Sequence, residues 1–452
     1  MITALHARNF KSWKDTGLLQ FAPLTGFFGT NSSGKTSIMQ MLLMLKQTIE
    51  STDRARVLNT GDDRSYVDLG TFFDLIHGHN QDAILSIQLS WKPGKQIVIN
   101  DPEYHNRKLF ETDHLSFGVS IKEKSEKPVV EMFNYFFDKY SFGMRQKGTN
   151  NEENKYQLIS DNFEAKRYQG RVWPLPSPVK CYGFPDEVTG YYQNVGFLSE
   201  FVRSFVDLFS PNMAYLGPLR EYPKRSYVWA GESPLDVGRK GELTVPAILS
   251  SRNKGKIIAL GKGNLRMTVE ERIGYWLREM GVVHSYSLKP IAKNRKDYEL
   301  RVKTTKDAPD VLITDVGFGV SQILPVLVLC YYMPEGSIII LEQPEIHLHP
   351  SVQAWLADVF IEVVSRRNIQ IIVESHSEHL LTRLQRRIAE KKIDSDKTAL
   401  YFCRMKGSSS AIERLDVDLL GSIRNWPEDF FGDKFGDLAA MTLAGLDQEG
   451  KL

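Results

Sequence analysis

Cysteine, net charge and long apolar runs are all scarce in this chain, and each shortage excludes something. The three cysteines, Cys181, Cys330 and Cys403, are odd in number and far apart. They cannot form a disulfide framework, and they suit a reducing cytosol. The 57 Lys and Arg residues nearly balance 55 Asp and Glu, for a formal net charge of +2. That excludes a protein that coats polyanions, although it leaves room for a local basic groove. The longest apolar run, Ile323 to Met333, falls far short of the roughly 20 residues a spanning helix needs. The first residues reach Arg8 and Lys11 without the apolar stretch of a signal peptide. A soluble, cytoplasmic protein without membrane association is expected. Heptad runs and repeats of roughly 20 to 50 residues are missing too, which sets aside a long coiled coil and a solenoid.

What is present is an ordinary globular balance, 42% hydrophobic and 25% charged, over 452 residues. At about 150 residues per domain, this length allows three domains, or one core with a large insertion. Ile2 to Ala7, Leu18 to Phe21 and Leu24 to Phe28 read as short strands, the last feeding a turn. Ile38, Leu42, Leu45 and Ile49 then mark one face of an amphipathic helix. Ala83 to Trp91 alternates apolar with polar, as a half-buried strand does. From about residue 100 the pattern changes. Leu115 to Ile121 reads as a strand, Lys147 to Lys155 as a polar loop, and Phe197, Phe201, Phe205 and Leu208 as a helix stripe. Beyond about residue 290, Tyr298 to Val302 and Val311 to Ile313 read as strands. A helix follows from near Ser321, with Pro325 expected in its first turn. Ser337 to Leu341 and Gln370 to Val373 are continuous apolar runs, the mark of buried parallel strands. The sum is an α/β core interrupted by a long segment of different character.

Gly29-Thr30-Asn31-Ser32-Ser33-Gly34-Lys35-Thr36 fits the P-loop pattern, with an apolar strand before it and an amphipathic helix after it. Glycines let backbone N–H groups turn toward phosphate oxygens, and the helix N-terminus adds partial positive charge. Asn31, Ser32, Ser33 and Ser37 complete the expected contact surface. Lys35 should reach the β- and γ-phosphates of ATP, and the Thr36 hydroxyl should ligate Mg²⁺. A P-loop also needs an acid at the end of a neighbouring strand for the Mg²⁺ shell. Glu342 closes the Ser337–Leu341 run, about 300 residues downstream. So large an insertion between two half-sites suits ATPase heads of the ABC type.

Four segments occur in order: Gly29 to Thr36, Asp315 to Pro325 (DVGFGVSQILP), Leu341 to Pro350 (LEQPEIHLHP) and Val373 to His379 (VESHSEH). The series resembles the SMC/RecF/OLD-like branch of ABC ATPases. More narrowly, it resembles bacterial AAA-type ATPases named for a C-terminal domain of unknown function. That domain's pattern is read in Gly421, Asn425-Trp426-Pro427 and Phe430-Phe431, and the segments Tyr215–Arg225 and Val237–Glu242 look typical of the same family. The resemblance implies an ABC-type P-loop ATPase head with a large inserted α+β region. The expected division is 1–95 for the N-terminal lobe with the P-loop, 96–290 for the insertion, 291–405 for the C-terminal lobe, and 406–452 for a small C-terminal domain.

Carried over by position, the resemblance implies that residues 317–322 are a signature segment. Its helix N-terminus faces the γ-phosphate held by a partner subunit, so a homodimer or higher oligomer is expected. Gly317 stands where the common pattern has Ser, leaving backbone amides, Gly319 and Ser321 to supply the contact. His376 falls at the switch histidine, and Lys11 in the early strand-turn that touches nucleotide. Gln343 replaces the acid that polarises the attacking water, and Gln orients water without taking its proton. Glu345 and His376 are the remaining candidates for that role. Slow hydrolysis is expected, in a switch that controls a separate effector (a nuclease is one form) or DNA, in phage defence or genome maintenance.

Two other functions compete: a self-contained metal nuclease, and a nucleotide-gated scaffold with negligible turnover. Glu345, His347 and His349 alternate as metal ligands on a strand do, although the resemblance puts them in the loop toward the dimer contact. Asp416 and Asp418 match the D-x-D of Toprim nucleases, with too short a chain after them for that domain. Arg383, Arg386, Arg387, Lys391 and Lys392 form a basic helix face that is either solvated or grips DNA phosphates.

Overall fold

A strand with no polar face must find two cores, and the run ending at Glu342 finds them. The computed structural model describes residues 1–101, 107–148, 155–170, 173–258, 266–427 and 440–444. In chain order its main elements are β1 (Ile2–Phe10), β2 (Trp13–Asp15), β3 (Leu24–Gly29), α1 (Lys35–Glu50) and β4 (Leu85–Trp91). Next come β5 (Leu115–Lys124), β6 (Lys127–Phe137), β7 (Tyr140–Gln146), β8 (Tyr156–Asp161), α2 (Leu198–Phe209), β9 (Met213–Leu216) and α3 (Val269–Glu279). The last third holds α4 (Gly319–Tyr332), β10 (Ile338–Glu342), α5 (Pro350–Arg367), β11 (Gln370–Glu374), α6 (Glu378–Ala389), β12 (Thr398–Lys406) and β13 (Ser409–Arg414).

The central sheet runs β9-β10-β11-β3-β12-β13, parallel except for the closing β12–β13 hairpin. Because successive side chains leave opposite faces of a strand, β10 divides its apolar residues between two cores. Ile338 and Ile340 join the core with α1, while Ile339 and Leu341 join the core with α4, α5 and α6. The second sheet is antiparallel, in the order β8-β7-β6-β5-β4-β1-β2. The Phe stripe of α2 closes it, with the Phe205 ring tilted 4.6 Å from Phe117 and Phe201 5.5 Å from Phe137. Among the described residues no helix is long and apolar enough to cross a membrane.

Strand pairing runs across the expected boundaries. Strands β5 to β8 extend the sheet begun by β1 and β4, with Trp91 opposite Leu115, so no break falls at 95/96. Strand β9, inside the supposed insertion, pairs with β10 in the central sheet. The boundary at 405/406 cuts the β12–β13 hairpin. Burial periodicity reports which face of a strand is covered and is silent about which strand lies beside it. Pro325 sits inside α4 rather than in its first turn, because the helix begins at Gly319. Its missing N–H leaves the Ser321 carbonyl without the usual partner. Gly241, at φ +77°, passes so close that a Cβ there would lie 2.8 Å from the proline ring. The polar stretch Lys147–Lys155 is pinned at its ends by the Lys147 N–H and the Lys155 carbonyl, 2.9 Å apart, while residues 149–154 lie outside the described residues.

A buried polar knot fixes α4 against its neighbours. Arg272 of α3 pairs with Glu362 of α5, whose Oε1 also accepts the Tyr331 hydroxyl at 2.6 Å. Trp276 Nε1 donates to that hydroxyl at 2.5 Å. Removing the acid leaves a guanidinium and a phenol unpaired in the interior. Glu362→Ala should therefore cost about 3–5 kcal/mol, read as a lower urea midpoint at unchanged slope.

Candidate nucleotide-binding site

The turn between β3 and α1 is shaped by what presses on it. Gly29 has φ +132°, and a Cβ there would lie 2.0 Å from the Cys403 carbonyl oxygen of β12, so only glycine fits. Gly34 has φ +88°, with the Ser410 and Ser12 hydroxyls 2.4 and 2.6 Å from where a Cβ would be. Trp13 Nε1 donates to the Gly34 carbonyl at 3.0 Å. Helix α1 starts with neither a side-chain cap nor an acid in its first turn. Its leading N–H groups are thus free for an anion, with the helix dipole behind them.

Lys35 is buried and folded back over the loop. Its Nζ donates to the Thr30 carbonyl at 2.6 Å and the Gly29 carbonyl at 3.1 Å. Burial holds its pKa below the usual lysine value, against the pull of Glu374, Cys403 and Glu345. Residues 31–37, Lys11, Gln343, Glu374 and His376 line a cavity of about 510 Å³. Lys11 Nζ donates to Gln40 Oε1 at 3.0 Å. Gln343, at φ +43°, lines the cavity, and its N–H donates to the Glu374 carbonyl at 2.9 Å. His376 is held below its usual pKa by burial and then by Lys35, so its ring is neutral at neutral pH.

The acid expected beside Thr36 is elsewhere. Glu342 is buried outside this cavity, because β11 lies between its strand and the P-loop strand. Its pKa is pushed up to about 7 by burial and then by Glu374, partly offset by a Tyr215 hydrogen bond and by Arg220. The Thr36 hydroxyl donates instead to both oxygens of Glu374, at 3.0 and 2.9 Å. Glu345 also lies outside the cavity, with its Oε1 accepting the His376 N–H at 2.6 Å. Burial raises both Glu345 and Glu374 above the usual carboxylate range. Arg220 faces this acidic group. Burial lowers its pKa to about 10, against Tyr215, Glu342 and Glu345. Three residues of this site escaped the sequence reading. Glu374 had a visible signal, a lone acid closing an apolar strand two residues before His376, whereas Tyr215 and Arg220 had none beyond their segment.

The signature residues lie apart from this cavity. Gly317 faces open space, and Gly319 opens α4. Ser321 is buried, its hydroxyl donating to the Phe318 carbonyl at 2.7 Å. Phe318 packs between Tyr222 and His347, at ring distances of 5.6 and 5.5 Å. Glu345, His347 and His349 are separated by role: Glu345 holds the backbone of His376, His347 packs on Phe318, and His349 caps α5. Among the described residues no group of three or more His, Cys, Asp or Glu could hold a metal ion. Asp418 closes a turn by accepting the Leu420 and Ser422 N–H groups, each at 2.9 Å, and Asp416 N–H donates to Asn425. On α6, Arg383 and Arg387 pair with Asp358, and Arg386 with Glu390. Phe430 and Phe431 lie outside the described residues.

Hard oxygen donors, the Thr36 hydroxyl and the Glu374 carboxylate, stand beside a lysine and a free helix N-terminus. That donor set fits Mg²⁺ with a nucleoside triphosphate. Folding raises the Glu342 pKa, so the folded chain holds more protons than the unfolded one between about pH 4.5 and about pH 7, and stability falls as pH rises through that window. Glu342→Gln lacks this penalty. Its stability advantage over the wild type should grow across the same window in urea unfolding at several pH values.

The sequence profile of the AAA ATPase domain matches residues 1–172 and 270–381. A second profile, a protein of unknown function (DUF3696), matches residues 393–441. No curated protein matches the chain. Among solved structures, the SMC head domain from Thermotoga maritima is 12% identical, with 92% of this chain and 99% of that chain covered and a TM-score of 0.42. An Smc head domain with an extended coiled coil, bound to the C-terminal domain of ScpA from Pyrococcus furiosus, is 11% identical, covering 92% and 96%, at a TM-score of 0.42. With its P-loop between β3 and α1 of a parallel sheet, and with most of its length matched by one profile, the chain belongs to the AAA ATPase domain family.

Proposed function

We propose that the chain is a slow ATP-hydrolysing switch of the cytoplasm whose heads dimerise on nucleotide and control a separate effector. The observation that carries this reading is the cavity itself, where Lys35, Thr36, Gln343, Glu374 and His376 converge. On binding, the phosphates would take Lys35 Nζ from the Thr30 and Gly29 carbonyls, and the α1 N–H groups would receive the β-phosphate oxygens. A bound Mg²⁺ would neutralise charge on the β- and γ-phosphates. Gln343 would orient the attacking water, and neutral His376 is a cavity group able to accept its proton. Glu345, set behind it, holds the His376 backbone. Phage defence or genome maintenance is the setting that the family resemblance suggests.

Tyr222, 77% exposed, packs on Phe318 at the turn that opens α4, and Leu219, three residues before it, is 74% exposed. This apolar surface beside a helix N-terminus with no acid in its first turn supports closure against a second copy. The pairing of Arg383, Arg386 and Arg387 with acids argues for a protein effector over DNA contact through α6. Three free, buried cysteines are at home in a reducing compartment. The separate roles of Glu345, His347 and His349 leave the metal-nuclease alternative without support. Gln343 keeps the scaffold alternative open to one test, ATP binding compared with turnover.

Lys35→Ala should abolish ATP binding in a titration while leaving the unfolding curve in place, since Lys35 contributes charge at the phosphates. Unchanged affinity would remove the reading. Basal turnover of the wild type should sit below ~1 s⁻¹, the slow end of typical enzymes. Gln343→Glu should speed it by part of the roughly 10²–10⁴ factor a general base supplies, with little change in ATP affinity. ATP with Mg²⁺ should raise the mass of the assembly, and ADP should not. Equal masses with both nucleotides would count against closure.

A further inference from the structure

The sheet edge carries one acid for which the family pattern gave no role. Glu374 ends β11, the strand next to the P-loop strand, with Phe27 of β3 as its register partner on one side and Glu342 of β10 on the other. It is 3% exposed, where burial penalises a charge, yet it lines the cavity and holds the Thr36 hydroxyl with both oxygens. In P-loop folds that hydroxyl ligates the magnesium ion, together with a carboxylate from the end of a strand. Glu342 stands a strand further off, an added distance of roughly 5 Å. Its own surroundings are Tyr215 and Arg220.

We propose, resting on the nucleotide-site reading above, that Glu374 is the carboxylate that holds the divalent cation with Thr36, in the place that sequence pattern assigns to Glu342. The competing account is purely structural: the Thr36–Glu374 bond ties α1 to β11 and shapes the loop. The two accounts differ in their dependence on the cation. A structural tie matters equally with and without Mg²⁺. A ligand matters only with it, and without it a buried negative charge beside the phosphates opposes binding.

The test is equilibrium binding of a fluorescent ATP analogue to the wild type, Glu374→Gln and Glu342→Gln, each in Mg²⁺ and in EDTA. In EDTA, Glu374→Gln should bind at least as tightly as the wild type. In Mg²⁺ it should forfeit about tenfold or more of the affinity that the cation adds to the wild type, the range seen when groups that support a metal are removed. Glu342→Gln should keep that added affinity. Glu374→Asp, which retains the charge but withdraws it by one methylene, should lose an intermediate part and guards against a folding defect in the amide variant. The proposal is overturned if Glu374→Gln keeps the full Mg²⁺ gain, if both variants lose it equally, or if Glu374→Gln weakens binding equally in EDTA and Mg²⁺. If the wild type binds the analogue in neither condition, the nucleotide-site reading falls with it.

Discussion

Three carboxylates, Glu342, Glu345 and Glu374, are buried at one edge of a sheet that is covered on both faces. Much of the site follows from that crowding. Burial alone raises all three pKa values, and Glu374 lifts Glu342 further. The chain answers with a specific partner for each: Thr36 for Glu374, the His376 N–H for Glu345, and Tyr215 with Arg220 for Glu342. Charge of this kind is costly in a folded interior unless it is used. Lys35 and the uncapped N-terminus of α1 stand beside that edge.

The two-sided burial that creates the edge also divides the labour of the fold. On one face, α1 and the antiparallel sheet form a core rich in aromatic rings, from Trp91 and Phe117 to Phe205. It holds the P-loop helix in place, with Lys180 Nζ donating to the Ile49 and Ser51 carbonyls at the helix C-terminus, at 2.8 and 2.7 Å. On the other face, α3, α4 and α5 meet at the Glu362 knot, and the N-terminus of α4 reaches the surface beside the loop that carries His347. The cavity at the P-loop and the segment 317–322 are thus separate places on the chain.

Several features were legible in the sequence because they are local. The P-loop was readable from residues 29–36, since glycine, lysine and threonine at that spacing have backbone reasons that hold in isolation: Gly29 and Gly34 do occupy positive φ. The double-faced strands were readable from apolar runs, and Ile338–Leu341 is fully buried as such a run implies. The Phe stripe of α2 followed the helical period. Pro325 was misplaced because a helix start has no strong signal when the N-cap is Phe318 and Gly319 comes first.

What the sequence by itself determined is the set of groups available: a P-loop pattern at residues 29–36, Gln343 and His376 after two apolar runs, and strands that must be buried twice. Only the tertiary structure decided which of these meet. Strand order is a long-range property, and placing β11 between β3 and β10 brings Glu374 to Thr36 while it sets Glu342 back toward Tyr215 and Arg220. The same kind of long-range pairing joins β4 to β5 across a supposed boundary and makes β9 part of the central sheet. Hydrophobic period reports that a strand has a buried face. Its neighbour is chosen by hydrogen-bonding edges that every backbone carries alike, so sequence pattern has no mark for it.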